Sequence, residues 1–309
     1  MTTLRQALQD YLLVRRRLGF ELKDDGLLLE RFVCFLEQAG AVRITTELAL
    51  VWAREPVGAH PSRWRERLGT VRGFARYLAT LDPESEVPSK DLLPAQRPRV
   101  TPYLYTPAEI AALMRAARAL PSPLRAATYE TLIGLLACSG LRPGEALALD
   151  RRDVDLLIEG TLHVRAGKQR KQREVPLHQS AVRALSEYGR LRDRYLPQPA
   201  TPAFFVSTRG ERLTRRWFNR TYRKLIEQAG LEGRGERCRP RAHDLRHSFA
   251  VRTLLNWYRS GEDVDRQLPL LSTYLGHAKP ASTYWYLQAA PELFALVGQR
   301  LDRLAEVLP

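Results

Sequence analysis

The sequence predicts a mainly α protein with one small antiparallel β-sheet in its C-terminal part, an α+β domain preceded by a helical bundle. Three observations carry this expectation. Apolar residues recur at helical spacing, with no strand alternation, as far as residue 82; Pro83, Pro88, Pro94, Pro98 and Pro102 then break the pattern; strand-like runs occur only between residues 156 and 177. At 309 residues and 44% apolar content the chain can bury two cores. The expected boundaries are a bundle over 1–82, a linker over 83–104 and a larger domain over 105–309.

Taken in order, Leu4, Leu8, Tyr11, Leu12 and the run Val14 to Leu18 form the first amphipathic helix. Leu27 to Leu36 form the second, which ends at Gly40, a residue suited to a left-handed C-cap. Thr45-Thr46-Glu47 opens a third near Leu48 to Trp52, and Arg63 to Leu81 supplies a fourth. The linker is extended, suited to lie along a ligand or simply to connect. Beyond it, Thr106-Pro107-Ala108-Glu109 combines an N-cap threonine, proline at the first helical position and an acid in the first turn. Helices follow over Ile110 to Leu120 and Leu124 to Ser139, the latter halted by Gly140. Leu156-Leu157, Thr161 to Arg165 and Arg173 to Leu177 read as strands, and Ala203 to Val206 as a buried extended piece. The remaining helices are expected near 180–194, 214–228, 242–258, 264–274, 282–288 and 291–307. The last carries an apolar face that would dock in cis or on a neighbouring protomer.

The formal charge of +15 argues for a polyanionic partner and says nothing of fold. Residues 1–100 hold 16 Lys and Arg against 13 Asp and Glu, and the rest hold 33 against 21, so the larger domain is where a polyanion is mainly gripped. Cys34, Cys138 and Cys238 form no close pair, which excludes a disulfide framework and a CxxC metal site. The N-terminus lacks the layout of a signal peptide, and no apolar run approaches the roughly 18 residues of a membrane span. A soluble, cytoplasmic, nucleoid-associated protein with no membrane partner is expected.

The motifs that carry chemistry lie in the larger domain. In Gly140-Leu141-Arg142-Pro143-Gly144-Glu145 an arginine stands between a helix-stopping glycine and a new helix start, beside free N–H groups that suit a phosphate. The run Arg165-Ala166-Gly167-Lys168-Gln169-Arg170-Lys171-Gln172-Arg173 joins two strand-like pieces as a cationic hairpin turn. In His243-Asp244-Leu245-Arg246-His247, His243 and Arg246 share a helical face: a guanidinium for bidentate hydrogen bonds to phosphate oxygens, beside an imidazole able to move a proton near neutral pH. The i, i+4 spacing of His243 and His247 also fits two zinc ligands, but the metalloprotease pattern wants Glu where Asp244 stands, and His247 reads as a packed helix residue. Leu275-Gly276-His277 closes one helix, and Ser282-Thr283-Tyr284-Trp285-Tyr286 opens the next. A phenol, with an ordinary pKa near 10, attacks a phosphate only with cations and a proton acceptor around it.

In order and spacing these boxes resemble those of the tyrosine recombinase (phage integrase) family: arginine in Gly-Leu-Arg-x-x-Glu, lysine on a β-hairpin, His-x-x-Arg, Leu-Gly-His, and a tyrosine nine residues after that histidine. The match runs from about residue 105 to 290. The resemblance implies a helical core-binding domain and a catalytic domain that clamp double-stranded DNA, with Arg142, Lys168, His243, Arg246, His277 and Tyr286 as catalytic residues and Glu145 orienting the cations. It implies attack by Tyr286 to give a 3′-phosphotyrosyl link and a free 5′-hydroxyl, with no metal and no cofactor. Arg142 and Arg246 would neutralise the phosphorane, Lys168 would protonate the leaving oxygen, His243 would take the tyrosine proton and His277 would donate to a phosphate oxygen. Tyr284 competes with Tyr286 as nucleophile, and Lys171 with Lys168 as acid. DNA-contacting cations are expected at Arg165, Arg170, Lys171, Arg173, Arg215, Arg216, Arg220, Arg239 and Arg241. The expected partners are paired recombination sites of a mobile element, engaged as a homotetramer or in a hetero-assembly with related recombinases. A type IB topoisomerase and a catalytically silent DNA-binding protein are the rival readings.

Overall fold

In the computed structural model the described residues are 3–94, 101–156, 160–165, 172–198, 200–235, 238–277, 279 and 281–289, the side chains of the last two excepted. Two compact units divide the chain, Met1–Arg99 and Val100–Pro309.

The first unit holds four helices, α1 (Leu4–Arg17), α2 (Lys23–Gln38), α3 (Thr46–Arg54) and α4 (Pro61–Leu78). Threonine oxygens begin two of them: Thr3 accepts from the Gln6 N–H and Thr45 from that of Leu48. Their apolar faces meet around Phe32 and Trp52, whose rings lie 4.9 Å apart, with Leu8, Leu36, Leu68 and Phe74 buried about them. Arg67 lays its guanidinium on Trp52 at 3.7 Å and donates to the Trp52 carbonyl at 2.7 Å, so a cation is packed into an aromatic core. The stretch read as a linker packs on this bundle through residue 94. Leu93 is buried in the core, Arg72 donates to the carbonyls of Pro88 and Ser89, and Arg65 to those of Leu93 and Pro94. Carbonyls freed by proline-rich backbone thus find arginine partners, a tertiary match that spacing does not reveal.

The second unit is helical around one three-stranded antiparallel sheet, as the sequence predicts. Its helices are α5 (Pro107–Arg118), α6 (Pro123–Ser139), α7 (Pro143–Ala148), α8 (Gln179–Tyr195), α9 (Arg215–Gln228), α10 (Asp244–Arg259), α11 (Val264–Leu275) and α12 (Ala281–Ala289). Thr106 and Glu109 close a capping box at the start of α5. Helix α6 buries residues on more than one side, and accordingly α5, α8 and α10 all pack against it. Strands β1 (Val154–Asp155), β2 (Thr161–Val164) and β3 (Arg173–Pro176) pair in sequence order, with Leu162 opposite Val175 and Val164 opposite Arg173. The first strand lies two residues ahead of the expected Leu156-Leu157, because a turn capped by Asp150 and Asp153 ends at Asp153 and hands Val154 directly to Leu162. Residues 203–206 are buried as expected, with Ala203 bridging to Asp150 and Val206 to Arg212. Helices α10, α11 and α12 share a second apolar cluster of Val251, Leu254, Leu268, Leu271, Leu275 and Tyr286. The helix expected over 291–307 lies outside the described residues.

Candidate active site

The turn after α6 is dictated by Gly140. Its φ is 60°, and an added Cβ would stand 2.5 Å from Cδ1 of Phe249 and 2.9 Å from Cδ2 of Leu275, so only glycine meets both demands. The turn delivers Arg142 to the N-cap of α7, where its backbone N–H donates to Oε2 of Glu145 at 2.9 Å and its Nη1 to Oε1 at 2.7 Å. Arg173, at the start of β3, grips the same carboxylate, with Nη2 to Oε2 at 2.8 Å and Nη1 to Oε1 at 3.2 Å. Arg246, in the first turn of α10 and 1% exposed, donates through Nη1 to the Gly140 carbonyl at 2.8 Å.

All three guanidiniums converge on the end of α11. Arg173 Nε donates to the Tyr274 carbonyl (2.8 Å), Arg246 Nη2 to that of Leu275 (2.7 Å) and Arg142 Nη2 to that of Gly276 (3.1 Å). These carbonyls lack helical partners and form the negative end of the helix dipole, a natural acceptor for cations. Gly276 has φ 67°, and a Cβ there would meet Arg173 Nη1 at 2.7 Å, which accounts for glycine before His277.

Helix α12 brings Tyr286 to this cluster. The side chain is 2% exposed and lies close enough to Arg246 to interact with its charge, whereas Tyr284 is 49% exposed. The Tyr286 ring contacts two imidazoles, His277 nearly parallel at 5.9 Å and His247 tilted at 5.5 Å. His277 Nδ1 is held by the Thr283 hydroxyl at 2.7 Å. His243 meets the His247 ring edge-on at 4.9 Å. Burial, then the charges of Arg246 and Arg142, lowers His277 to about 4. The same causes in the same order, joined by Arg241 and Arg215, lower His243 to about 4. Burial and then His243 take His247 to about 3. Burial, and next the repulsion of Arg142, draws Arg246 down to about 10, so it stays cationic at neutral pH. Burial raises Glu145, but hydrogen bonds from Arg173 and the Arg142 backbone outweigh it and hold the carboxyl at about 2. The site therefore presents fixed cations beside imidazoles that are neutral at neutral pH.

The pattern of the Phage integrase family matches residues 104–292, a span that contains every one of these groups. The chain belongs to the phage integrase family, the tyrosine recombinases. A protein of Sinorhizobium fredii described as an integrase/recombinase (y4rB) is 45% identical over 98% of this chain and 98% of its own length. Tyrosine recombinase XerC of Chlamydia trachomatis is 29% identical over 77% of this chain and 71% of its own. Among solved structures, the Tn1549 transposon integrase in complex with transposon right end DNA covers 97% of this chain and 99% of its own, with a TM-score of 0.64 and 17% identity, a likeness of fold. Tyrosine recombinases generally cleave and rejoin DNA strands in site-specific recombination.

Against this integrase fold, the residues expected from sequence fall into three groups. Arg142, Glu145, Arg246, His277 and Tyr286 are brought together, with His243 at the edge of the cluster. Lys168, Arg170 and Lys171 lie outside the described residues. Of the cations expected on DNA, Arg215, Arg216, Arg220 and Arg239 are exposed. Three others are engaged by carboxylates: Arg173 by Glu145, Arg241 by both oxygens of Asp244, and Arg165 by Asp150 and Asp153. Arg212 also reaches Asp150. Sequence reasoning passed over His247 as a ring contact of Tyr286, and Thr283 as the partner of His277. The first had a signal, since i, i+4 from His243 sets both rings on one face; Thr283 had none. Among the described residues, no three His, Cys, Asp or Glu side chains are placed to hold a metal ion, and no helix is long and apolar enough to cross a membrane.

Proposed function

We propose that the protein is a site-specific DNA recombinase that cleaves and rejoins strands through a 3′-phosphotyrosyl intermediate with Tyr286 as nucleophile. The observation that carries this reading is the burial of the Tyr286 ring against the His247 and His277 imidazoles in the cluster that holds Arg246, while Tyr284 is half exposed. Arg142 and Arg246 neutralise the phosphorane, and their anchorage means little reorganisation accompanies charge development. The Tyr286 oxygen bonds to phosphorus, the P–O5′ bond breaks, and Lys168 protonates the leaving oxygen. The phenolic proton passes to His243, whose lowered pKa keeps it an unprotonated acceptor at neutral pH. His277, oriented by Thr283, donates to a non-bridging oxygen. One phosphodiester is exchanged for another, so the reaction needs no metal or nucleotide cofactor.

In this reading the protein works in the cytoplasm at the nucleoid, as a homotetramer on paired sites of a mobile element or with related recombinases. The bundle, 1–82, clamps the DNA together with the catalytic domain, 105–309, through the linker of 83–104. The test incubates nicked suicide duplexes from the DNA flanking the gene, in EDTA, with wild type, Tyr286→Phe and Tyr284→Phe proteins. An SDS-stable adduct lost only with Tyr286→Phe is the expected result. Loss only with Tyr284→Phe moves the nucleophile; salt-sensitive binding with no adduct for any protein overturns the enzymatic reading. Relaxation of unrelated supercoiled plasmids would point to a topoisomerase.

A further inference from the structure

Arg173 stands apart from the other cations of the hairpin strands. Its side chain is 12% exposed, and Nε, Nη1 and Nη2 are all committed within the protein, to the Tyr274 carbonyl and to both oxygens of Glu145. Its guanidinium also lies so close over Gly276 that no Cβ fits between them. Arg142, by contrast, is 39% exposed and shares the same carboxylate. Counting charge settles what the arrangement does. Arg142 and Glu145 alone sum to zero, which would cancel the field of the exposed guanidinium where a phosphate must sit. With Arg173 gripping the same carboxylate the trio carries +1.

We propose that Arg173 is a positioning residue for phosphoryl transfer: without touching DNA, it balances and holds Glu145 so that Arg142 keeps both its charge and its aim for the scissile phosphate. The role rests on the recombinase reading above. It uses two tethers, the carboxylate of Glu145 and the end of α11, and so fixes the strand that follows the hairpin turn to the helix end that holds Arg142 and Arg246. A displacement of the order of 1 Å in a catalytic group is enough to cost about 100-fold in rate.

The experiment measures adduct formation at saturating enzyme on a suicide duplex, and separately the dissociation constant across a salt series. The proteins are wild type, Arg142→Ala, Glu145→Ala, Arg173→Ala, Arg173→Lys and the Glu145→Ala/Arg173→Ala double variant, each checked for an unchanged melting transition. Each single variant also receives duplexes with one or the other diastereomer of a scissile phosphorothioate, in which sulfur replaces one non-bridging oxygen. Arg173→Ala is expected to slow adduct formation about 100-fold while the dissociation constant and its salt dependence stay as in wild type. Its penalty should vanish in the Glu145→Ala background, and its diastereomer ratio should shift in the same sense as that of Arg142→Ala. Arg173→Lys, a point charge without the fork, restores only part of the rate. Weaker binding with a shallower salt dependence and a normal saturated rate would make Arg173 a DNA contact and overturn the proposal. Equal slowing of both diastereomers would reduce it to a structural residue and overturn it as well. If wild type forms no adduct while binding the duplex, the recombinase reading itself has failed; if wild type reacts and Arg173→Ala matches it, only this inference has.

Discussion

Replacing Gly140 by alanine sets a single methyl group against two separate constraints whose sizes follow from the geometry. The residue sits at φ 60°, where a side chain costs about 1–2 kcal/mol relative to glycine. The new Cβ would also lie 2.5 Å from the Phe249 ring and 2.9 Å from a methyl of Leu275, both in packed surroundings, and such overpacking costs about 1–3 kcal/mol. Together the loss is about 2–5 kcal/mol. Gly230 supplies the control: its φ is 65°, yet nothing lies within 4 Å of its ideal Cβ, so Gly230→Ala should show the conformational cost alone, about 1–2 kcal/mol. Urea denaturation of both variants separates the two terms. Because the Gly140 carbonyl accepts from Arg246, the Gly140 variant should also lose adduct formation out of proportion to its stability, while the Gly230 variant keeps it. A Gly140→Ala protein no less stable than Gly230→Ala would refute the close packing on which this reasoning stands.

Two other outcomes are expected. His247 and His277 titrate at about 3 and about 4 in the folded chain against about 6.5 when unfolded; the unfolded state therefore takes up protons first on acidification. Their stabilisation is complete above pH 6.5 and is lost as the pH falls towards 4, at a slope of up to about 1.4 kcal/mol per pH unit for each imidazole. The urea midpoint should drop between pH 7.5 and pH 5 and drop less in His247→Phe; equal midpoints at both pH values would contradict the burial of these rings. Asp150 binds Arg165 and Arg212 from an 8% exposed position. Asp150→Ala should cost about 1–2 kcal/mol, below the 3–5 of a fully buried pair because both arginines are more than a third exposed. A thermal melt of that variant indistinguishable from wild type would show the cluster to be ornamental.

Much of the larger unit was legible because its motifs are written in short segments. Thr106 with Glu109 announced α5, and Gly140 announced the end of α6. What stayed hidden joins residues far apart in the chain. Arg173 meets Glu145 across 28 positions and Arg212 meets Asp150 across 62, and neither pair leaves a periodic mark. Charge counting treats every arginine as facing a ligand, whereas folding commits Arg165, Arg173 and Arg241 to carboxylates. Leu93 was read as linker for a similar reason: one leucine among prolines has no period, and only the bundle surface decides that it is buried. The first strand was expected two residues late because two residues cannot show alternation.

The end of α11 fastens three arginines by main-chain oxygens alone. Every residue type supplies the same carbonyl, so within the limits of packing Tyr274 and Leu275 can be exchanged without altering what the arginines bind. Only Gly276, where a Cβ has no room, is pinned by identity. An anchor of this kind is insensitive to mutational drift. A lineage can rewrite much of the surrounding surface and still inherit the same arrangement of the three arginines.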